Sequence, residues 1–171
     1  SLLQAYHSAY LPRPRVVITG MGSVSPNGIG NDDFHRNCLA GVSGIRRPVG
    51  FDESKVAFKT SAVGQIVDLD LTTVLEPAEL RRVPRLVPLA ILAAQEALAM
   101  AGVSIARDDI ATQRRIGVAL GTGGGGVAFL EEQYRTLFER GTSSLYSITS
   151  GTHGNLSSEI SIHFGLRGPS H

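Results

Sequence analysis

An α/β domain, with a parallel sheet packed between helices, is the fold class this sequence predicts. Two β-branched runs, RVVITG at 15–20 and RIGVAL at 115–120, each lead into a glycine-rich loop, as buried strands do. Apolar residues at helical spacing lie between and after them, and strands separated by helices favour a parallel sheet. The 171 residues are 42% hydrophobic and 18% charged, which suits one domain with a sizeable core.

Residues 1–14, closed by Pro12 and Pro14, read as an N-terminal tail or linker, and 15–171 as one domain without repeat or internal boundary. After the first strand at 15–20, Asn31 caps a short helix. Its first turn carries Asp32 and Asp33 at the positive end of the dipole, and Gly41 closes it. A second strand falls within 55–66, where Val56, Phe58, Val63 and Ile66 alternate loosely. The next helix ends at Met100, Ala101 and Gly102. Its centre, 89–94, is apolar on every face and therefore expects protein all round, from sequence beyond His171 or from a partner chain. Pro84 suits the helix start, but Pro88 removes a donor one turn later and leaves that start ambiguous. The third strand, 115–120, runs into the glycines of 121–126. The helix that follows sets Val127, Leu130, Tyr134, Leu137 and Phe138 on one stripe and is closed by Gly141. A polar loop, 142–154, leads to a last helix with Leu156, Ile160 and Phe164 at i, i+4 and i+8.

Composition excludes several function classes. A formal net charge of +1 points to neither nucleic acid nor an anionic membrane. The longest apolar stretch, 86–101, contains Gln95 and Glu96 and is shorter than the about 20 residues a membrane span takes. The first residues lack the basic start and apolar run of a signal peptide. One cysteine, Cys38, excludes an internal disulfide framework and suits a reducing compartment. A soluble, cytoplasmic protein is the expectation.

Gly121-x-Gly123-x-x-Gly126 between a strand and a helix matches a dinucleotide fingerprint. No acidic residue follows at the end of a next strand, and Gly20-x-Gly22-x-x-Ser25 matches less well. Glycines that let the chain turn sharply and pack closely explain both runs. Cys38 follows Phe34 by four residues in the last turn of its helix, which reads as a buried structural thiol rather than an activated one. His153, His163 and His171 are not at metal-ligand spacing. Arg81, Arg82 and Arg85 form a basic cluster, either a solvated helix end or a landing point for an acidic partner.

Five segments together are more specific than any of these motifs. They are RVVITGMGSVSPNGIG at 15–30, NCLAGVSGI at 37–45, the Arg-rich lead into an Ala-rich helix at 81–103, the strand and glycine turn at 116–126, and HFGLRGPS at 163–170. In this order they resemble the amino-terminal part of β-ketoacyl-[acyl carrier protein] synthases, and most of all the elongating synthases of fatty-acid and polyketide assembly. The resemblance implies a thiolase-like layered fold of two similar halves, of which this would be the first: mainly parallel sheet with helices packed on it.

It implies an acyltransferase as well. An acyl group moves from carrier-protein phosphopantetheine to a cysteine, and decarboxylation of malonyl-carrier protein yields the carbanion that attacks it. The acyl carrier protein is then a partner, a homodimer or a heterodimer with a synthase-like subunit is expected, and no cofactor is needed beyond the phosphopantetheine on the carrier. The family's nucleophile elbow would follow shortly after His171, so the domain is expected to be incomplete at its C-terminal end and no catalytic residue is assigned within 1–171. By the resemblance, Gly124 stands where a bulky gate of the acyl pocket is usual. Tyr146 and Ser147 match an aromatic pair at the pocket's far end, the second aromatic being lost. Arg81 and Arg82 match a basic pair that meets the carrier protein. GNLSSE at 154–159, Pro84 and Pro88 depart from the family pattern and suggest a specialised pathway enzyme. The competing readings are a catalytically inactive subunit of chain-length-factor type, a nucleotide-binding domain, and an interaction domain without chemistry.

Overall fold

The structure, a computed structural model, describes residues 15–50, 59–152 and 155–171. The expected tail at 1–14, the portion of the second strand at 55–58, and His153 lie outside the described residues.

The first strand does not form as expected. Residues 15–20 join no ladder among the described residues, and Val16 and Ile18 are 91% and 83% exposed. A β-branched run becomes a strand only when a neighbour takes its N–H and C=O groups. A tight hairpin follows instead, β1 (Val24–Ser25) against β2 (Gly28–Ile29), with Val24 opposite Ile29. Helix α1 (Asn31–Leu39) starts as the sequence indicates, with Asp32 and Asp33 in its first turn, although Gly30 occupies the cap position in place of Asn31. Gly41, at φ 66°, ends it in the left-handed conformation that a β-carbon would oppose. β3 (Ile45–Arg46) pairs antiparallel with β4 (Val63–Gly64), which is what the second strand amounts to.

A single 3₁₀ turn at Leu71–Thr73 precedes the short α2 (Pro77–Leu80), whose proline sits in the first turn. α3 runs Leu86–Met100. Pro88 is then its third residue, where the missing N–H would have had no helical partner anyway, and this removes the ambiguity of the start. α4 (Ile110–Arg115) is capped by Asp109, which accepts the Thr112 N–H at 3.0 Å. Hydrogen bonds from Thr112 hold the Asp109 carboxyl below the ordinary carboxylate range. That part of the helix stability is present above the unfolded pKa and is lost as pH falls through the lowered one.

Of the third strand expected at 115–120 there remains an isolated bridge at Val118, with a partner that sequence periodicity does not reveal. Val118 N–H donates to the Pro169 carbonyl at 2.8 Å, His171 N–H to Val118 at 2.9 Å, and Leu120 N–H to His171 at 2.9 Å. The bridge from Val118 to Ser170 is parallel, as a βαβ reading requires. Between these segments lie α5 (Val127–Arg140), α6 (Ser147–Gly151) and α7 (Asn155–Phe164). α6 corrects the expectation of a plain polar loop at 142–154; Ser144 and Ser147 start it through local hydroxyl bonds.

The core gathers Val87 and Ile91 of α3, Leu156 and Ile160 of α7, and Leu75 and Val83 of the connecting loop. α3 is enclosed on its other side as well. A β-carbon on Gly20 would run into the Ala97 carbonyl, and one on Gly22 into the Ala93 carbonyl, so the loop lies backbone to backbone on the alanine face. Glu96 fastens it there, its carboxylate accepting from Ser23 N–H at 2.9 Å and Asn31 N–H at 2.7 Å. The all-round apolar helix is therefore largely covered within the chain. The exposed apolar surface lies elsewhere, on 16–18, on Phe138 and on Leu145 and Ile148.

Two substitutions test this seating by thermal unfolding. Glu96→Ala should cost about 2 kcal/mol, since two part-buried N–H groups lose their acceptor. Gly22→Ala should cost at least ~3 kcal/mol because backbone, not a side chain, must yield. Gly121→Ala, whose β-carbon would meet nothing within 4 Å, should change stability by less than ~0.5 kcal/mol.

Candidate functional site

α5 and α6 meet where Gly151 faces Leu130; a β-carbon at Gly151 would collide with that leucine's methyl. Beside the contact opens an apolar groove of about 390 Å³, lined by Leu130, Tyr134, Leu137 and Ile148 with Gln133, Ser143, Ser147 and Thr152 as polar elements. Three of these four are satisfied locally, Thr152 Oγ1 donating to the Thr149 carbonyl at 3.0 Å. Ser147 Oγ donates to the Ser144 carbonyl at 2.6 Å, and Gln133 Oε1 accepts the Ser144 N–H at 3.0 Å. The groove therefore offers hydrocarbon and asks little of a ligand in hydrogen bonding. The stripe expected on α5 is real, but it faces this groove and solvent: none of its residues is buried, and Phe138 is 83% exposed.

Next to the groove lies a charged junction. Arg82 Nη2 stands 3.5 Å from Glu159 Oε2 and 3.8 Å from Glu79 Oε1, and its guanidinium lies 5.7 Å over the centre of the Tyr146 ring. The backbone carbonyl of Arg82 accepts the hydroxyl of buried Ser150 at 2.6 Å. Glu159 is buried on α7 among Leu156 and Ile160. A carboxylate on that apolar stripe needs a cation, a signal that sequence could have supplied.

The expected site residues are thus distributed unequally. Ser147 lines the groove, whereas Tyr146, its neighbour in the chain, lies under Arg82 and is not part of the groove lining. Gly124 lies on the exposed loop before α5, where a β-carbon would touch only Val127 Cγ2 at 3.7 Å, and it is not part of the groove lining. Arg81 is exposed and makes no ion pair among the described residues, whereas Arg82 is turned inward.

The glycines of 121–126 divide by cause. Gly125, at φ 56°, makes the turn, and Gly126 packs on Pro84 and the Ser150 carbonyl. Gly121 and Gly123 meet nothing within 4 Å, so close packing does not explain them.

Cys38 is exposed, not buried, on a helix that buries none of its residues. Its sulfur accepts from Asn27 Nδ2 at 3.2 Å, which is no base. The His163 ring meets the Phe164 ring edge-on at 4.8 Å. No cluster of His, Cys, Asp and Glu that could hold a metal occurs among the described residues, and no helix among them is long and apolar enough to cross a membrane.

A second cleft of about 730 Å³ lies between the end of α3 and α7, with Arg107, Arg167 and His163 on its rim. Buried Gln113 organises its floor. Its amide donates to the Ala106 and Arg107 carbonyls at 2.8 and 3.0 Å, and its oxygen accepts Arg167 Nε at 2.9 Å. This hub was not visible in the sequence.

Residues 13–171 match the family model described as "Beta-ketoacyl synthase, N-terminal domain". The chain is 32% identical over 161 residues to 3-oxoacyl-[acyl-carrier-protein] synthase 2 of Coxiella burnetii, covering 93% of this chain and 38% of that protein. It is 34% identical over 167 residues to the chloroplastic 3-oxoacyl-[acyl-carrier-protein] synthase I of Arabidopsis thaliana, covering 94% and 34%. Among solved structures, a β-ketoacyl synthase from Burkholderia phymatum superposes with a TM-score of 0.73 at 26% identity, over 90% of this chain and 38% of that one. A type II polyketide ketosynthase, solved with its acyl carrier protein and a bound hexaketide, shares the fold at a TM-score of 0.69 and 19% identity, over 91% and 40%. The expected fold class is therefore the observed one, and the chain spans 38% or less of the curated relatives described here.

Exposure of Cys38 has a direct consequence. A thiol-directed reagent should label it in the native protein without denaturant, and Cys38→Ser should change stability by less than ~0.5 kcal/mol. Mass spectrometry of the labelled peptide and a melting curve check both.

Proposed function

The chain belongs to the β-ketoacyl synthase family, as its amino-terminal domain, and we propose that it forms part of a synthase that carries out decarboxylative condensation of an acyl thioester with malonyl-carrier protein. The observation that carries this reading is the apolar groove between α5 and α6, lined by Ser147, within a chain whose residues 13–171 match the family model. In the reaction an acyl group leaves the carrier's phosphopantetheine thiol for a cysteine thiolate. Malonyl-carrier protein then loses CO₂, and the carbanion attacks the acyl thioester carbon and expels the cysteine thiolate.

This chain's share is binding. The groove takes up hydrocarbon, at about 0.8 kcal/mol per buried methylene, and the basic surface around Arg81 receives an acidic carrier. On this reading the nucleophile belongs to the part of the synthase fold that the chain does not span, because Cys38 lies on α1 with only an amide beside it. A dimer with a second synthase-like subunit, a cytoplasmic location and no cofactor beyond the carrier's phosphopantetheine belong to the same proposal.

The test mixes the complete protein with acyl- and malonyl-carrier proteins and follows CO₂ and the β-ketoacyl product by mass spectrometry. Residues 1–171 alone should yield neither; condensation by the isolated fragment would overturn the division of labour. A complete protein that binds both carriers but releases no CO₂ would be the inactive subunit of chain-length-factor type.

The groove is tested by Gly151→Ala, which should push Leu130 into the lumen; the gate implied at Gly124, outside the groove lining, is tested separately by Gly124→Ile, which the loop can hold without backbone collision. Each should shift preference toward shorter acyl chains, by about tenfold for a length difference of two methylenes. An unchanged chain-length profile in Gly151→Ala would remove the groove from acyl binding.

A further inference from the structure

Arg82 is held as a docking cation is not. Its guanidinium is 29% exposed and sits between Glu159, itself 9% exposed, and Glu79. With its charge engaged by two carboxylates, Arg82 offers an acidic partner less attraction than an exposed arginine that makes no ion pair. The same residue grips α6 twice: its backbone carbonyl holds the buried Ser150 hydroxyl at 2.6 Å, and its side chain covers Tyr146, the cap residue of that helix. The residues that follow Tyr146, Ser147 and Ile148, are groove wall. Arg81 next door is exposed and makes no ion pair among the described residues.

We propose that Arg82, oriented by Glu159, is a positioning residue that fixes the α6 wall of the acyl groove, and that carrier docking falls to Arg81. The inference rests on the synthase reading above and divides an adjacent pair of like residues into two tasks. The junction transmits through geometry. Glu159 is carried on α7, which is packed against α3 in the core, so the guanidinium is referenced to the rigid centre of the domain. The guanidinium sits over an aromatic ring while its Nη2 faces two carboxylates, an arrangement that lysine reproduces only in part.

The experiment uses the complete synthase with Arg81→Gln, Arg82→Gln, Arg82→Lys, Glu159→Gln and the double variant Arg82→Gln/Glu159→Gln. Arg81→Gln should raise the KM for acyl-carrier protein ~5-fold at low salt, converge with the parent at high salt, and leave the chain-length profile alone. Arg82→Gln and Glu159→Gln should keep the parental salt slope and lower discrimination between neighbouring chain lengths ~5-fold, with partial recovery in Arg82→Lys. The double variant leaves neither charge unpaired, so its melting temperature should recover toward the parent while its profile stays broadened.

A salt slope flattened by Arg82→Gln as much as by Arg81→Gln would overturn the proposal by making Arg82 a carrier contact. A profile that recovers together with stability in the double variant would also overturn it, leaving Arg82 with support of the fold alone. Hydrogen exchange of residues 146–152 separates these outcomes from failure of the synthase reading itself. Exchange there should accelerate in Arg82→Gln and Glu159→Gln but not in Arg81→Gln, whether or not the protein condenses anything. Unchanged exchange overturns the proposal.

Discussion

Where a β-carbon on Gly22 would stand, the carbonyl of Ala93 already stands, and Gly20 is in the same position against Ala97. The loop that follows residues 15–20 can therefore lie on α3 only as bare backbone, and only where α3 presents alanine. Ala93, Ala97 and Ala101 recur every four residues and so share one face. With the loop seated, Glu96 on the same helix reaches the N–H groups of Ser23 and Asn31, giving the first turn of α1 a half-buried carboxylate acceptor. The position of α1 thus follows from the small residues of α3 rather than from any side-chain packing of its own. That is consistent with α1 burying none of its residues.

The opposite face of α3 transmits the constraint toward the groove. Val87 and Ile91 pack on Leu156 and Ile160 of α7, and Glu159 projects from that packed helix to Arg82. Ser150 and Tyr146 then hang from Arg82, and α5 closes on α6 at Gly151. Each contact in this series is of a different kind: backbone on backbone, apolar packing, ion pair, hydroxyl to carbonyl, glycine to leucine. A groove supported in this way keeps its width although, of its lining residues, Gly151 alone is buried.

Much of the fold was legible because helices announce themselves locally. The termini of α1, α3 and α5 follow from acidic first turns, prolines and closing glycines, all within a few residues of the ends they define. Strands are different, since a strand is defined by its neighbour. RVVITG reads as a strand and pairs with nothing among the described residues, whereas residues 168–171, which carry no strand signal, pair with 116–120. Cys38 was misplaced for a related reason: periodicity locates a face of α1 but not what that face meets. At the site, type of residue was legible and partnership was not. Arg81 and Arg82 look alike in sequence, and only the distance from Glu159 on α7 separates them.

The glycine run at 121–126 shows how one string of residues can hide several causes. Gly125 is required by a positive φ and Gly126 by Pro84 at 2.9 Å, while Gly121 and Gly123 answer to neither. In a dinucleotide site the amides of such a loop must be free to meet a pyrophosphate. Here the N–H of Gly125 already donates to Thr122 Oγ1 at 3.0 Å. Gly126, at the head of α5, is buried between Pro84 and α6. Gly126 thus serves the junction of α5 with α6 and the loop before α3. The spacing of a phosphate-binding motif is present, but the Gly125 N–H is engaged within the loop and Gly126 packs against the helix that shares the groove.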